Sequence, residues 1–181
     1  MNVEQELVRE IRTLSNVETL CRLCNKIEDP NKLISIPISD GSSHTFATTF
    51  LSLAISCDNV DAVDLLLQKG ADPNFTNNKL LNDGPLLYNL SIFTGSTAEE
   101  VKKQLMITKL MLDYGANPNQ VIPKEGKTVY QFVKEMASSA YDPSSDYDYR
   151  FDAAFLELLE AGLQESLNQI DMESLLSSFD D

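Results

Sequence analysis

The 181-residue chain carries 28 acidic and 14 basic side chains, a net charge of −14, and 43% hydrophobic residues, an apolar share that suits a folded protein and not a disordered one. No apolar run approaches the roughly 18 to 20 residues a membrane helix needs, and the opening MNVEQELVREIRTL lacks the apolar core of a secretory signal. The odd count of three cysteines, Cys21, Cys24 and Cys57, points to a reducing compartment, so the expected location is the cytoplasm of the producing cell, or of a host cell if the chain is delivered there.

Along the chain, one phrase recurs. Asp29-Pro30-Asn31, Asp72-Pro73-Asn74 and Asn117-Pro118-Asn119 begin 43 and 45 residues apart, a self-similarity that marks a repeat architecture. Each phrase ends an amphipathic helical pattern: NVETLCRLCNKIEDPN, NVDAVDLLLQKGADPN and LMITKLMLDYGANPN. In the second and third, Gly70 and Gly115 stand where a helix end needs a residue tolerant of positive φ, and the proline three residues later stops the helix. The segments KLISIPISDG and FTNNKLLNDG each place an Asp-Gly turn nine residues after the phrase's asparagine, which predicts protruding hairpins with Asp40-Gly41 and Asn82-Asp83-Gly84 at their turns. Ser96 or Thr97, followed three residues later by Glu99 or Glu100, predicts the cap of a lengthened helix. In the tail, Leu163, Leu167, Ile170, Met172, Leu175, Leu176 and Phe179 fall at helical spacing and predict a final helix.

These phrases resemble the second helix and exit turn of ankyrin repeats, whose pattern is roughly TPLHxAAxxGnxxxVxxLLxxGADPN. Thr49-Phe50-Leu51-Ser52-Leu53-Ala54 matches the opening, with Phe50 and Ser52 in place of Pro and His. Asp58-Asn59 stands at the turn, and Val63, Leu66, Leu67, Gly70, Ala71, Asp72 and Asn74 follow without gaps. The first copy keeps Asn16, Val17, Leu20, Leu23, Cys24, Asp29, Pro30 and Asn31 in register, with a first helix expected over Val3 to Leu14 and with Ile27-Glu28 replacing Gly-Ala. The third runs from Gly84-Pro85-Leu86 to Asn119, with Thr108 where Val is usual and about ten extra residues between its helices. The fourth opens at Gly126-Lys127-Thr128-Val129-Tyr130 and closes on Phe155, Leu158, Leu159 and Gly162, again after an insertion. The resemblance implies an all-α fold. It would be an ankyrin-repeat solenoid of stacked helix-turn-helix pairs with short hairpin-like connections and a C-terminal capping helix, forming one domain over residues 1–181. The repeats are expected at about 2–31, 40–74, 83–119 and 126–162, with a helical tail over 163–181.

Catalytic chemistry is poorly supplied. His44 is the only histidine, which rules out multi-histidine metal sites and leaves a nucleophile only one possible base; a surface or capping role is expected. Cys21 and Cys24 form a CxxC inside a predicted helix, with no second pair to complete a zinc site, and the repeat register puts Cys24 at the position that Leu67 holds in the next copy, a core position. No P-loop, GxSxG, HExxH or dinucleotide fingerprint is present. The expectation is a non-enzyme with no cofactor and no metal.

The charge is localised. Residues 135–181 hold twelve acids and one base, Arg150, whereas residues 1–134 hold 16 acids and 13 bases. Such an end repels nucleic acid and anionic membranes and attracts basic surfaces, or serves only solubility. The insertion SSAYDPSSDYDYRFD offers Tyr141, Asp142, Asp146, Tyr147, Asp148, Tyr149, Phe151 and Asp152 as a docking loop for a basic protein. By resemblance, the hairpin tips offer Ile36, Ile38, His44, Lys79, Leu80 and Leu81, with packing between adjacent hairpins as the alternative fate of the apolar ones. The third tip falls at about Pro123 to Lys127. The function expected is binding or inhibition of a basic protein by a chain that is monomeric alone, for example an antidote to a cationic toxin. The alternatives are a translocated bacterial effector that binds a host protein, the acidic tail with Phe179 serving as its delivery signal, and an unrecognised enzyme.

Overall fold

The structure is a computed structural model that describes residues 2–14, 16–37, 45–76, 84–92, 97–138 and 149–180. The chain divides into two units, Met1–Asp83 and Gly84–Asp181. The first unit holds α1 (Val3–Arg12), α2 (Val17–Cys24), β1 (Ile34–Pro37), β2 (Thr45–Thr48), α3 (Phe50–Ser56) and α4 (Val60–Gln68). Each helix starts at a side chain that satisfies one of its free N–H groups. Asn2 accepts from the Gln5 N–H and Gln5 answers to the Asn2 backbone; Asn16, Thr49 and Asn59 accept from Thr19, Ser52 and Ala62. Short αα turns join each pair, with Leu14 at φ 50° in the first and Asp58 at φ 49° in the second.

Helix packing in this unit is pair upon pair: α1 lies against α2 and α3, α4 against α2 and α3. Leu7 and Ile11, Leu20 and Leu23, Phe50 and Leu51, and Val63 and Leu66 fill the shared core. Asn59 is buried and ties the copies together, because its Nδ2 donates to the Ile11 carbonyl (3.0 Å) while its Oδ1 caps α4 (3.0 Å). A second tie runs through Asn31, whose side chain donates to the Gly70 carbonyl (3.2 Å) and accepts from the Asp72 N–H (2.7 Å).

The recurring phrase now has a physical meaning. In all three copies the leading Asp or Asn folds its side chain onto the N–H two residues on, Asp29 onto Asn31 (2.9 Å), Asp72 onto Asn74 (2.8 Å) and Asn117 onto Asn119 (2.9 Å). Its carbonyl accepts from the residue three on (Lys32, Phe75 and Gln120), the closure of a β-turn with proline at the second position. Gly70 at φ 92° and Gly115 at φ 85° end their helices in the same way: their N–H groups reach Leu67 and Leu112, and the next N–H groups reach Leu66 and Met111.

The second unit repeats the plan with α5 (Leu86–Ile92), α6 (Ala98–Asp113), β3 (Val121–Ile122), β4 (Lys127–Thr128), α7 (Val129–Ser138), α8 (Tyr149–Leu163) and α9 (Met172–Ser177). Here α5 packs on α6 and α7, and α8 on α6 and α7, with Tyr88 and Phe132 meeting edge to face at 5.2 Å. The capping box expected at Thr97 is formed: Thr97 accepts from the Glu100 N–H and the Glu100 carboxylate accepts from the Thr97 N–H. The third copy's insertion is therefore largely absorbed as helix, since α6 has 16 residues where α4 has 9. Thr108 replaces the pattern's Val without cost to its hydroxyl, which donates to the Gln104 carbonyl one turn back (2.8 Å).

Two expectations are corrected here. Gly162 is not an exit glycine; it lies inside α8, where a Cβ would come within 3.1 Å of Leu112, so its role is close approach to α6. The exit falls three residues later at Glu165, φ 55°, with the Ser166 N–H on the Ala161 carbonyl. The tail is not one helix: Leu163 ends α8, a 3-10 turn (Leu167–Gln169) packs on α6 and α8, and Asp171 caps the short α9. Among the described tail residues after Leu163, only Phe179 is buried, 2% exposed, with the Arg150 guanidinium 5.3 Å from its ring centre. Arg150 also donates to the Ser178 carbonyl (2.7 Å), and Lys102 pairs with Asp180.

Two stability predictions follow from these contacts. Asn59→Ala removes a helix cap and leaves the buried Ile11 carbonyl without its donor, an expected loss of about 2 to 3 kcal/mol in urea denaturation followed by circular dichroism; a loss under about 0.5 kcal/mol would contradict the tie. Gln104 on α6 is 0% exposed and its side-chain amide has no hydrogen-bond partner among the described residues. Gln104→Leu is therefore expected to raise stability by about 1 kcal/mol in the same assay, and a destabilised variant would show that the amide has a role.

Candidate binding surfaces

The hairpin of the first unit lines a concavity. β1 and β2 pair antiparallel, Ile34 opposite Thr48 and Pro37 opposite Thr45. Strand alternation turns Ile34 and Ile36 into the core and leaves Ser35 exposed. Between β1 and α1 lies a groove of about 650 Å³, its helical wall formed by residues such as Val8, Arg9 and Arg12 and its strand wall by Leu33 to Pro37. Leu33 is 45% exposed in that wall.

Charge along the groove is unevenly compensated. Lys32 donates to Glu4 (2.7 Å), and this bond raises the Lys32 pKa above its ordinary value. Arg9 pairs with Glu10, its Nε at 2.8 Å from Glu10 Oε1. Arg12 is exposed and reaches only the Pro37 carbonyl, at 3.5 Å, at the outer limit for a hydrogen bond.

The residues predicted to bind are placed as follows. Ile36 is corrected: it is 2% exposed and packs into the core, because it shares a strand face with Ile34. Phe151 and Asp152 are also corrected, since both lie in the first turn of α8 and are buried, Asp152 at 3% exposure and Phe151 against Phe155 with ring centres 5.6 Å apart. The fourth copy's helix begins at Tyr149, so the insertion is shorter than its composition suggests. Tyr141, Asp142, Asp146, Tyr147 and Asp148 lie outside the described residues, as do Ile38, His44, Lys79, Leu80 and Leu81. Tyr149 opens α8, but its side chain is outside the described set. Composition did not single out the groove wall of Val8, Arg9, Arg12 and Leu33; the alternation in KLISIPI was the available signal, since it puts Leu33 and Ser35 on the face opposite Ile34 and Ile36.

Among the described residues no group of three or more His, Cys, Asp or Glu side chains is arranged to hold a metal ion, and no helix is long and apolar enough to cross a membrane. Cys24 is buried in α2, and burial, then the neighbouring Cys21, push its thiol up to about 11. With these geometries in hand, the comparison with known families is specific: the ankyrin repeat family model matches residues 48–78. The span covers β2 from Thr48, α3, α4 and the Asp72 turn, so the chain contains an ankyrin repeat there. No curated protein matches the chain. Ankyrin repeats mediate protein–protein interaction, and this chain contains that module.

The Cys24 shift predicts a pH effect. The folded state keeps the thiol proton above the ordinary value of 9.0 while the unfolded chain loses it, so this contribution to stability is present below about pH 9 and lost as pH rises through about 11. Cys24→Ala should flatten that part of a urea-denaturation pH series, and an unchanged slope would assign the loss to other groups.

Proposed function

We propose that this chain is a non-catalytic interaction module, four ankyrin-type helix pairs in one domain, that binds or inhibits a protein with a basic surface. The observation that carries the reading is the concentration of acidic residues over 135–181, twelve acids against one base. Glu157, Glu165 and Glu173 are exposed and have no ion pair among the described residues. The only base in the segment, Arg150, is engaged with Ser178 and Phe179. Carboxylates held this way attract a cationic partner and speed its association at low salt. An antidote that covers a cationic toxin is one concrete form of such a protein. Asp142, Asp146 and Asp148 extend the same charge in sequence.

The test is affinity capture followed by mass spectrometry at low and at high salt, with wild type and with Asp142, Asp146, Asp148, Glu157, Glu165 and Glu173 changed to Asn or Gln. The reading expects a basic protein held by wild type, weakened by salt and lost to the neutralised bait. A partner that survives both treatments would overturn it and move binding to the hairpin side.

A further inference from the structure

The groove of the first unit differs in chemistry from the acidic segment, and its strand wall has an open edge. β1 pairs with β2 alone; none of its backbone N–H or C=O groups bonds to any other described residue's backbone. The groove is walled by β1 and not by β2, which sets the strand's free edge toward α1. An open edge is a row of unpaired donors and acceptors, and an extended peptide can add to it as a further strand. Pro37 supplies no N–H at the far end, so the addition is limited to the backbone of Leu33 to Ile36.

The walls specify the occupant further. Four residues of extended chain cover about 13 Å, comparable with the roughly 16 Å of α1 between Asn2 and Thr13. Leu33, at the Lys32 end, and Val8 offer apolar contact. Arg12 stands at the Pro37 end with a guanidinium that meets only a carbonyl at 3.5 Å, and a carboxylate would give it a shorter, charge-assisted pair. The other cation of the wall, Arg9, is already matched by Glu10, and Lys32 at the opposite end by Glu4. Among the described residues of the groove, Arg12 is thus the cation with no carboxylate partner.

We propose that this groove binds an extended peptide of a partner protein as a strand added to β1, with an aliphatic side chain on Leu33 and a Glu or Asp carboxylate on Arg12. The site goes beyond the acidic segment discussed above, and neither result below bears on whether that segment binds a basic protein. The binding contact is short and local, and the chain's net charge of −14 opposes acidic peptides at long range. The peptide therefore carries one carboxylate at the arginine and not an acidic run, and moderate salt leaves it bound.

The probes are heptapeptides alternating valine and threonine with a single glutamate at the fifth position, the same peptides with lysine there, and a glutamate version with N-methylated backbone amides. Each is titrated into ¹⁵N-labelled full-length chain and followed by amide chemical shifts. The glutamate peptide is expected to move the Ser35 and Ile36 amides; Arg12→Ala should weaken it about tenfold, the loss of one charge-assisted bond; the lysine and N-methyl peptides should fail. Arg12 is exposed, so an unchanged melting temperature of the variant separates a lost contact from a lost fold. Equal binding of the glutamate and lysine peptides, no shift in β1 at millimolar glutamate peptide, or β1 shifts that track protein concentration without peptide (pairing with a second copy) would each overturn the proposal.

Discussion

Everything in this molecule depends on a side chain folding back onto its own backbone. The carboxylate or amide that opens each Asx-Pro-Asn phrase takes the N–H two residues ahead and so closes a tight turn at the foot of a helix pair. After Asp29 and Asn117 that turn sends the chain into a hairpin, β1–β2 and β3–β4, and on to the first helix of the next pair. A single pair of seven- to ten-residue helices cannot bury its apolar stripe; stacked on a neighbour it can. In the first unit the stack is further pinned by Asn31 and Asn59, which spend their hydrogen bonds between copies and not within one.

Where the turn chemistry is kept, the sequence was legible. Val63, Leu66, Leu67 and Gly70 fall where the repeat register put them, and the Thr97 cap with Glu100 was readable three residues apart. The misreadings have a common origin. Gly162 looked like an exit glycine because Leu158 and Leu159 precede it as Leu66 and Leu67 precede Gly70, but α8 runs on to Leu163, and the glycine's small size is used against Leu112 instead. In the tail, regular apolar spacing suggested one helix, yet a single residue at positive φ, Glu165, and one capping aspartate, Asp171, cut it into pieces. Periodicity reports which residues prefer burial; it is silent on where a chain reverses.

The candidate site was harder to read for a different reason. Composition drew attention to aromatic and aspartate residues in the fourth copy, two of which, Phe151 and Asp152, turn out to be buried in α8. It drew attention to Ile36 as well, although a strand's two-residue alternation with Ile34 turns both inward. What marks the groove is relational: an arginine whose acceptor is distant, beside a strand with one partner. Arg12 and β1 are 22 residues apart at their closest, from Arg12 to Ile34, and no local pattern connects them.

The tail adds a matter of timing. Nearly all helix contacts join a pair to its own partner or to the next pair, and a topology of such short separations assembles quickly from local pieces. The ion pair of Asp180 with Lys102 spans 78 residues, and Phe179 reaches its seat under Arg150 only once α8 exists. Closing so long a loop gains little until both its walls are built. On the way in, the last segment is therefore the last to arrive. On the way out, held by one aromatic ring and two cations, it is the first to leave while the helix pairs beneath it stay folded.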